Sequence, residues 1–226
     1  MREWNAISRF SHNLGVKEEI IKKAEQDFKE LLKRYSETRE FVWEEHKSKL
    51  NESLSMQNFQ PWWANLLCFF LLFLSVFRHA ALRELRSYLE VSERSYYIDS
   101  RHHEKSYEDK VKILKLFKLR KTEEDITLLK TILGKKQESK IGRKINFKEL
   151  LWGIPPKKRN ELVMFYSDLC EHVHLSEQAQ SDALKDFGLN LALRHPCYKE
   201  DIEMLEKTFE CSRYLLLKSL EKPTSL

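Results

Sequence analysis

The chain predicts an all-α fold, a helical bundle with a long N-terminal helical hairpin. Apolar residues recur at intervals of three and four along most of its 226 residues, the spacing of helices with one buried face. Only five glycines and five prolines are present, too few for the many tight turns of a β fold. The third observation is an uncharged run over residues 62–77, WWANLLCFFLLFLSVF, which turns amphipathic from Arg78 onward. A helix apolar all round is buried in a core, a membrane or a partner.

Residues 1–16 read as a short lead-in, with Trp4, Ile7 and Phe10 packing back as one turn. From Lys17 the apolar positions Ile20, Ile21, Ala24, Phe28, Leu31, Leu32, Tyr35, Val42, His46, Leu50 and Leu54 predict a helix of about 37 residues, ~55 Å long. Alternating Lys and Glu solvate its other face. Residues 58–61 break it, and Pro61 suits the first turn of the next helix. That second helix is expected to run to about Ser100, antiparallel to the first. Residues 1–60 are therefore read as a long-helix arm and 61–226 as the bundle core, one continuous globular unit.

Tyr107–Leu119 predicts a third helix. Thr122 is placed to cap a fourth, with Glu123, Glu124 and Asp125 in the first turn where the helix dipole favours carboxylates; Gly134 ends it. Lys135–Lys144 reads as a basic loop. Asn146 caps a short helix through Leu151, stopped by Trp152-Gly-Ile-Pro-Pro. Lys157–His174 forms a further helix. Ser176–Phe187 is expected to be helical, Gly188 a break and Leu189–Leu193 extended. Tyr198–Leu220 is the last helix, with Ile202, Leu205, Phe209, Tyr214, Leu216 and Leu217 facing inward.

Sixteen helical residues cover ~24 Å, short of the ~30 Å hydrocarbon core that takes about 20 residues, and Arg78 follows directly. The run 62–77 thus predicts a central core helix, and no integral membrane span is expected. The N-terminus lacks a basic region followed by a long apolar run, and Cys68, Cys170, Cys197 and Cys211 form no CxxC pair. Free thiols in a cytoplasmic protein are the expectation.

The net charge of +5 is unevenly spread. Residues 101–160 carry 18 Lys+Arg against 8 Asp+Glu, whereas residues 161–226 carry 7 against 12. Lys135, Lys136, Lys140, Arg143 and Lys144 of the loop, with Lys157, Lys158 and Arg159 at a helix start, are the candidate nucleic-acid-binding residues. Clustered cations attract phosphate backbones through counterion release. A solvated basic face neutralised by the acidic C-terminal third is the plain alternative. The helix-start cations oppose their own helix dipole, which favours an anionic partner there.

No phosphate-cradling glycine loop, nucleophile elbow, HExxH or CxxC is present, so the usual nucleotide-binding loops are excluded and no cofactor is implied. On a helix, Asp168 and His172 share one face and Cys170 and His174 another. Each pair is at most half a metal site, and no metal is expected. His102 and His103 fall in a polar loop and are expected to be solvated.

The segment RNELVMFYSDLCEHVHLSE (159–177), behind a long helix carrying Arg86 and Glu90 in LRSYLEV, resembles the HEPN superfamily of helical bundles. The resemblance covers roughly residues 62–220. It implies an often dimeric protein, acting either as a metal-independent RNase or as an inactive partner in toxin–antitoxin and defence systems. Carried over, the site residues are Arg86, Glu90, Tyr166 and His174. The family's nuclease signature places a histidine a few residues after an arginine. Here the nearest arginine upstream of His172 and His174 is Arg159, and Arg78-His79, Arg101-His102 and Arg194-His195 are adjacent pairs.

The resemblance therefore implies a non-catalytic member that binds RNA or DNA or a protein partner, with Arg86 and Glu90 as a buried pair tying helices together. A ribonuclease using His174 as base and Arg86 for the phosphate is the enzymatic alternative. A homodimer joined through the 17–54 helix is the structural one.

Overall fold

The computed structural model describes residues 2–74, 78–117, 122–133, 147–173 and 198–221, with the backbone alone for His79, Leu129, His172, Val173 and Tyr198. All regular structure among them is helical. In chain order the helices are α1 (Arg2–Asn13), α2 (Glu18–His46), α3 (Leu54–Phe59), α4 (Trp62–Leu74), α5 (Arg78–Arg101), α6 (Tyr107–Lys115), α7 (Glu123–Leu133), α8 (Phe147–Leu150), α9 (Pro156–Val173) and α10 (Tyr198–Leu220). Gly134, the basic loop 135–144, Asn146, residues 176–193 and Cys197 lie outside the described residues.

Two compact units emerge. One comprises Met1–Phe41, Pro61–Leu89 and Met164–Cys211; the other comprises Val42–Gln60, Glu90–Val163 and Ser212–Leu226. Both draw on residues either side of position 60.

The first unit is held by rings. Trp4 stacks on Phe28 at 5.0 Å and meets Phe70 edge-on at 5.6 Å. Phe28 meets Phe70 at 5.8 Å, and Tyr35 stacks on Trp62 at 6.3 Å. An early residue of α2 thus meets a late residue of α4 and the reverse, so the two helices run antiparallel as a hairpin. Trp62 also meets Tyr88 of α5 at 6.1 Å and Phe209 of α10 at 4.6 Å. Each such buried side chain contributes on the order of 1.5–3 kcal/mol by leaving water, with aromatic edge contacts adding to it.

The apolar run is therefore covered by its own chain along one face: Leu66, Phe69, Phe70, Phe73 and Leu74 are buried. On the opposite face Trp63 stays 46% exposed. Among the described residues no helix is long and apolar enough to cross a membrane.

The N-terminal lead-in departs from expectation. Residues 2–13 form a full helix packed on α4, whose inner stripe is Trp4, Ile7 and Ser11. Phe10 falls off that stripe and is 47% exposed. Ser11 satisfies its hydroxyl by donating to the Ile7 carbonyl at 2.8 Å. The helix ends where Val16 N–H reaches the Ser11 carbonyl and Gly15 N–H the His12 carbonyl. Gly15 there adopts φ 80, a left-handed conformation that glycine reaches without a Cβ penalty.

The second unit corrects the length of the first long helix, which stops at His46 instead of reaching residue 54. A 3-10 turn covers Lys47–Lys49, and α3 starts afresh at Leu54. The cause is remote in sequence. Asp99 of α5 accepts hydrogen bonds from Leu54 N–H at 3.2 Å, Ser55 N–H at 2.8 Å and the Ser53 hydroxyl at 2.8 Å. Ser53 itself accepts from Met56 N–H as the N-cap. Lys110 of α6 pairs with Asp99 at 3.1 Å and donates to the Glu52 carbonyl at 2.8 Å. Leu54, Tyr97, Ile98, Ile113, Leu116 and Leu150 form the apolar core of this unit.

α6 ends at Lys115, before the expected Leu119. Thr122 caps α7 as its sequence predicts: its hydroxyl accepts from Asp125 N–H at 3.2 Å, and the Asp125 carboxylate accepts from Thr122 N–H at 2.8 Å.

Candidate nucleic-acid interface

Among the described residues carried over from the HEPN resemblance, Arg86 and Tyr166 meet. The Arg86 guanidinium lies over the Tyr166 ring, 5.8 Å from its centre. Glu90, one turn further along α5, pairs with Arg94 at 3.0 Å. His174 lies outside the described residues, and His172 is described by backbone alone. Asp168 is exposed, and Cys170 is half-buried.

The basic candidates divide in a similar way. Lys135, Lys136, Lys140, Arg143 and Lys144 lie outside the described residues. Lys157 is exposed in the first turn of α9, which contains no acidic residue. Lys158 pairs with Glu161 at 3.0 Å and places its ammonium 5.4 Å from the Tyr214 ring centre. Arg159 donates to the Ile154 carbonyl at 3.2 Å. These last two cations thus stand beside aromatic and backbone groups of the second unit.

A cation–aromatic pair that the sequence reading passed over sits in the same unit. The Arg101 guanidinium lies over the Trp152 indole at 3.8 Å from the ring centre, close enough for flat stacking. Arg101 is exposed, and Trp152 is 38% exposed. Trp4 and Trp62, by contrast, are buried in the first unit.

The turn bearing Trp152 is anchored by its flanking residues and by Tyr96. Leu151 and Ile154 are buried, and Ile154 N–H reaches the Leu151 carbonyl at 3.3 Å. The Tyr96 hydroxyl donates to the Trp152 carbonyl at 2.6 Å. Burial pushes the Tyr96 phenol above its usual range, so it remains a donor at neutral pH. Gly153 takes φ 78, which admits glycine and few others. One available signal was an aromatic residue between two apolar anchors and next to a glycine.

His102 corrects a second expectation. Expected in solvent, it is 3% exposed and meets the edge of Tyr97 at 6.1 Å. Its Nε2 has no hydrogen-bond partner among the described residues. Burial lowers its pKa below the ordinary 6.5; Glu104 opposes that shift, and Lys105, Arg101 and Lys110 add to it. A neutral imidazole is what such surroundings hold. His103 is exposed.

Among the described residues, no group of three or more His, Cys, Asp or Glu stands together as a metal site. Cys68, Cys170 and Cys211 are half-buried, and burial raises the Cys68 pKa, which disfavours a reactive thiolate. Comparison of the chain with protein-family models, curated proteins and solved structures finds no match in any of the three.

Proposed function

We propose that this chain is a non-catalytic helical protein that binds nucleic acid through its cationic middle third. The observation that carries the reading is the surplus of 18 Lys+Arg over 8 Asp+Glu within residues 101–160. Its described part supports the same reading: Lys157 is exposed, and Arg101 has no carboxylate partner among the described residues. RNA or DNA is the partner that such charge recruits without base readout. The HEPN-like character and a homodimer or protein partner belong to the same proposal and rest on the sequence resemblance; a cytoplasmic setting belongs to it as well and rests on the cysteine usage and the N-terminal sequence.

The missing arginine-to-histidine signature near His174 supports the non-catalytic reading. Incubated RNA stays full-length under this reading. Cleavage leaving a cyclic phosphate and abolished by His174→Ala would establish the ribonuclease alternative instead.

The test is affinity against salt. Wild-type protein binds with log K falling linearly in log salt, and each phosphate contact contributes about 0.7 (single strand) to 0.9 (duplex) to the slope. Reversing Lys135, Lys136, Arg143 and Lys144 to Glu weakens binding at least about tenfold and flattens that slope. Binding indifferent to both salt and charge reversal overturns the proposal.

A further inference from the structure

We infer that the Arg101–Trp152 stack is a base-stacking platform for single-stranded nucleic acid, an inference that rests on the nucleic-acid reading above. Trp152 is exposed because the fold holds it there. Its neighbours Leu151 and Ile154 are buried, its carbonyl is tied to Tyr96, and Gly153 sets the turn. Tyr97, Ile98 and Ile113 of this unit pack inward, whereas Trp152, like Trp43 and Leu128, is 38% exposed.

The guanidinium above the indole adds a cation to this platform. Arg101 lies 3.8 Å from the ring centre and is itself exposed. It pairs with no carboxylate among the described residues, so its charge is available to a ligand. A planar guanidinium on an aromatic ring is a surface on which a nucleobase stacks, and its N–H groups reach an adjoining phosphate. Lys157 and Lys158 follow on the same strand of sequence, and the Lys158 ammonium over Tyr214 repeats the pairing of cation and ring.

Single-stranded nucleic acid is the occupant this chemistry selects. Its bases expose their faces, whereas a duplex buries them in its own stack and offers a protein phosphates and base edges. An acidic peptide would satisfy the guanidinium and leave the indole unused.

The experiment is fluorescence anisotropy with a labelled oligouridylate of about twelve nucleotides, the matching oligothymidylate and a duplex of equal length. Full-length wild type is compared with Trp152→Ala, Trp152→Phe and Arg101→Ala, each checked for helical content by circular dichroism. Trp152→Ala weakens binding of both single strands by about 5- to 150-fold and leaves the salt slope unchanged, since no charge is removed. Arg101→Ala weakens binding and lowers the slope by about 0.7. Trp152→Phe keeps a ring and retains most of the affinity. Duplex binding is insensitive to Trp152→Ala.

If folded Trp152→Ala binds single strands as wild type does, or weakens duplex equally, the platform is overturned while the nucleic-acid reading stands. If wild type binds none of the three probes, that reading falls and the platform with it. Should Trp152→Ala lose helical content, Arg101→Ala and Trp152→Phe decide the matter by the same measurements.

Discussion

The first unit closes around stacked and edge-on rings, Trp4, Phe28, Phe70, Tyr35 and Trp62 among them, while the second closes around a carboxylate. Asp99 there gathers two amides, a hydroxyl and the Lys110 ammonium in one buried knot. The physical difference is directionality. Ring packing tolerates exchange of one apolar group for another of similar volume. A buried ion pair does not tolerate loss of one partner, because the other is then left charged out of water. Volume thus governs the ring cluster of the first unit, which also holds Asp201 buried against Arg78 at 2.7 Å, while the second adds the Asp99 hydrogen bonds to an apolar core of its own.

Removing the carboxylate gives the largest expected effect. Asp99→Ala strips Lys110 of its partner and uncaps α3, costing about 3–5 kcal/mol for the orphaned charge alone. Adding Lys110→Met to Asp99→Ala recovers part of that loss in urea unfolding. A double variant no more stable than Asp99→Ala would mean the buried charge is not the source of the cost.

In the ring-packed unit Trp62→Ala costs about 3–5 kcal/mol through lost transfer energy and a cavity. Trp62→Phe is milder, under about 3 kcal/mol in the same unfolding series. Equal losses for Ala and Phe would break the distinction drawn here, since volume would then not govern.

Acid separates the units next. His102 has its folded pKa held below the unfolded value near 6.5. The unfolded chain therefore binds a proton first as pH falls. The contribution of His102 is intact above about pH 6.5 and is lost progressively below it. Comparing unfolding midpoints of wild type and His102→Phe across about pH 8 to 5 should show a steeper acid decline for wild type. Parallel curves would remove His102 from the account.

The smallest effect belongs to a partly exposed clamp of the first unit. Arg34 pairs with Glu210, stands 3.9 Å from Glu206 and lies over Phe209. With its side chain about a third exposed, Arg34→Ala costs only about 0.5–1 kcal/mol, and added salt shrinks the difference.

Much of the architecture was legible because it is written locally. α10 spans Tyr198–Leu220 as its periodicity predicts, and the Thr122 cap needs only residues within one turn. The break after His46 was not legible, because the group that enforces it, Asp99, lies 44 to 46 residues away. Nothing in the four-residue spacing from Val42 to Leu54 announces that its last member begins a new helix. His102 was misplaced for a related reason: polarity along the chain suggested a loop, while Tyr97 of the preceding helix covers the ring.

For the site, the sequence supplied the charge imbalance and the Arg86 and Tyr166 positions, which do meet. It did not supply the Arg101–Trp152 stack, since residues 51 apart reveal no contact without the fold.

Ultraviolet cross-linking of bound oligouridylate, followed by mass spectrometry of the adducted peptides, locates the bound strand on the chain. Adducts are expected to concentrate within residues 101–160, with Trp152 among the modified positions. Adducts confined to residues 1–89 or 164–211 would contradict this placement.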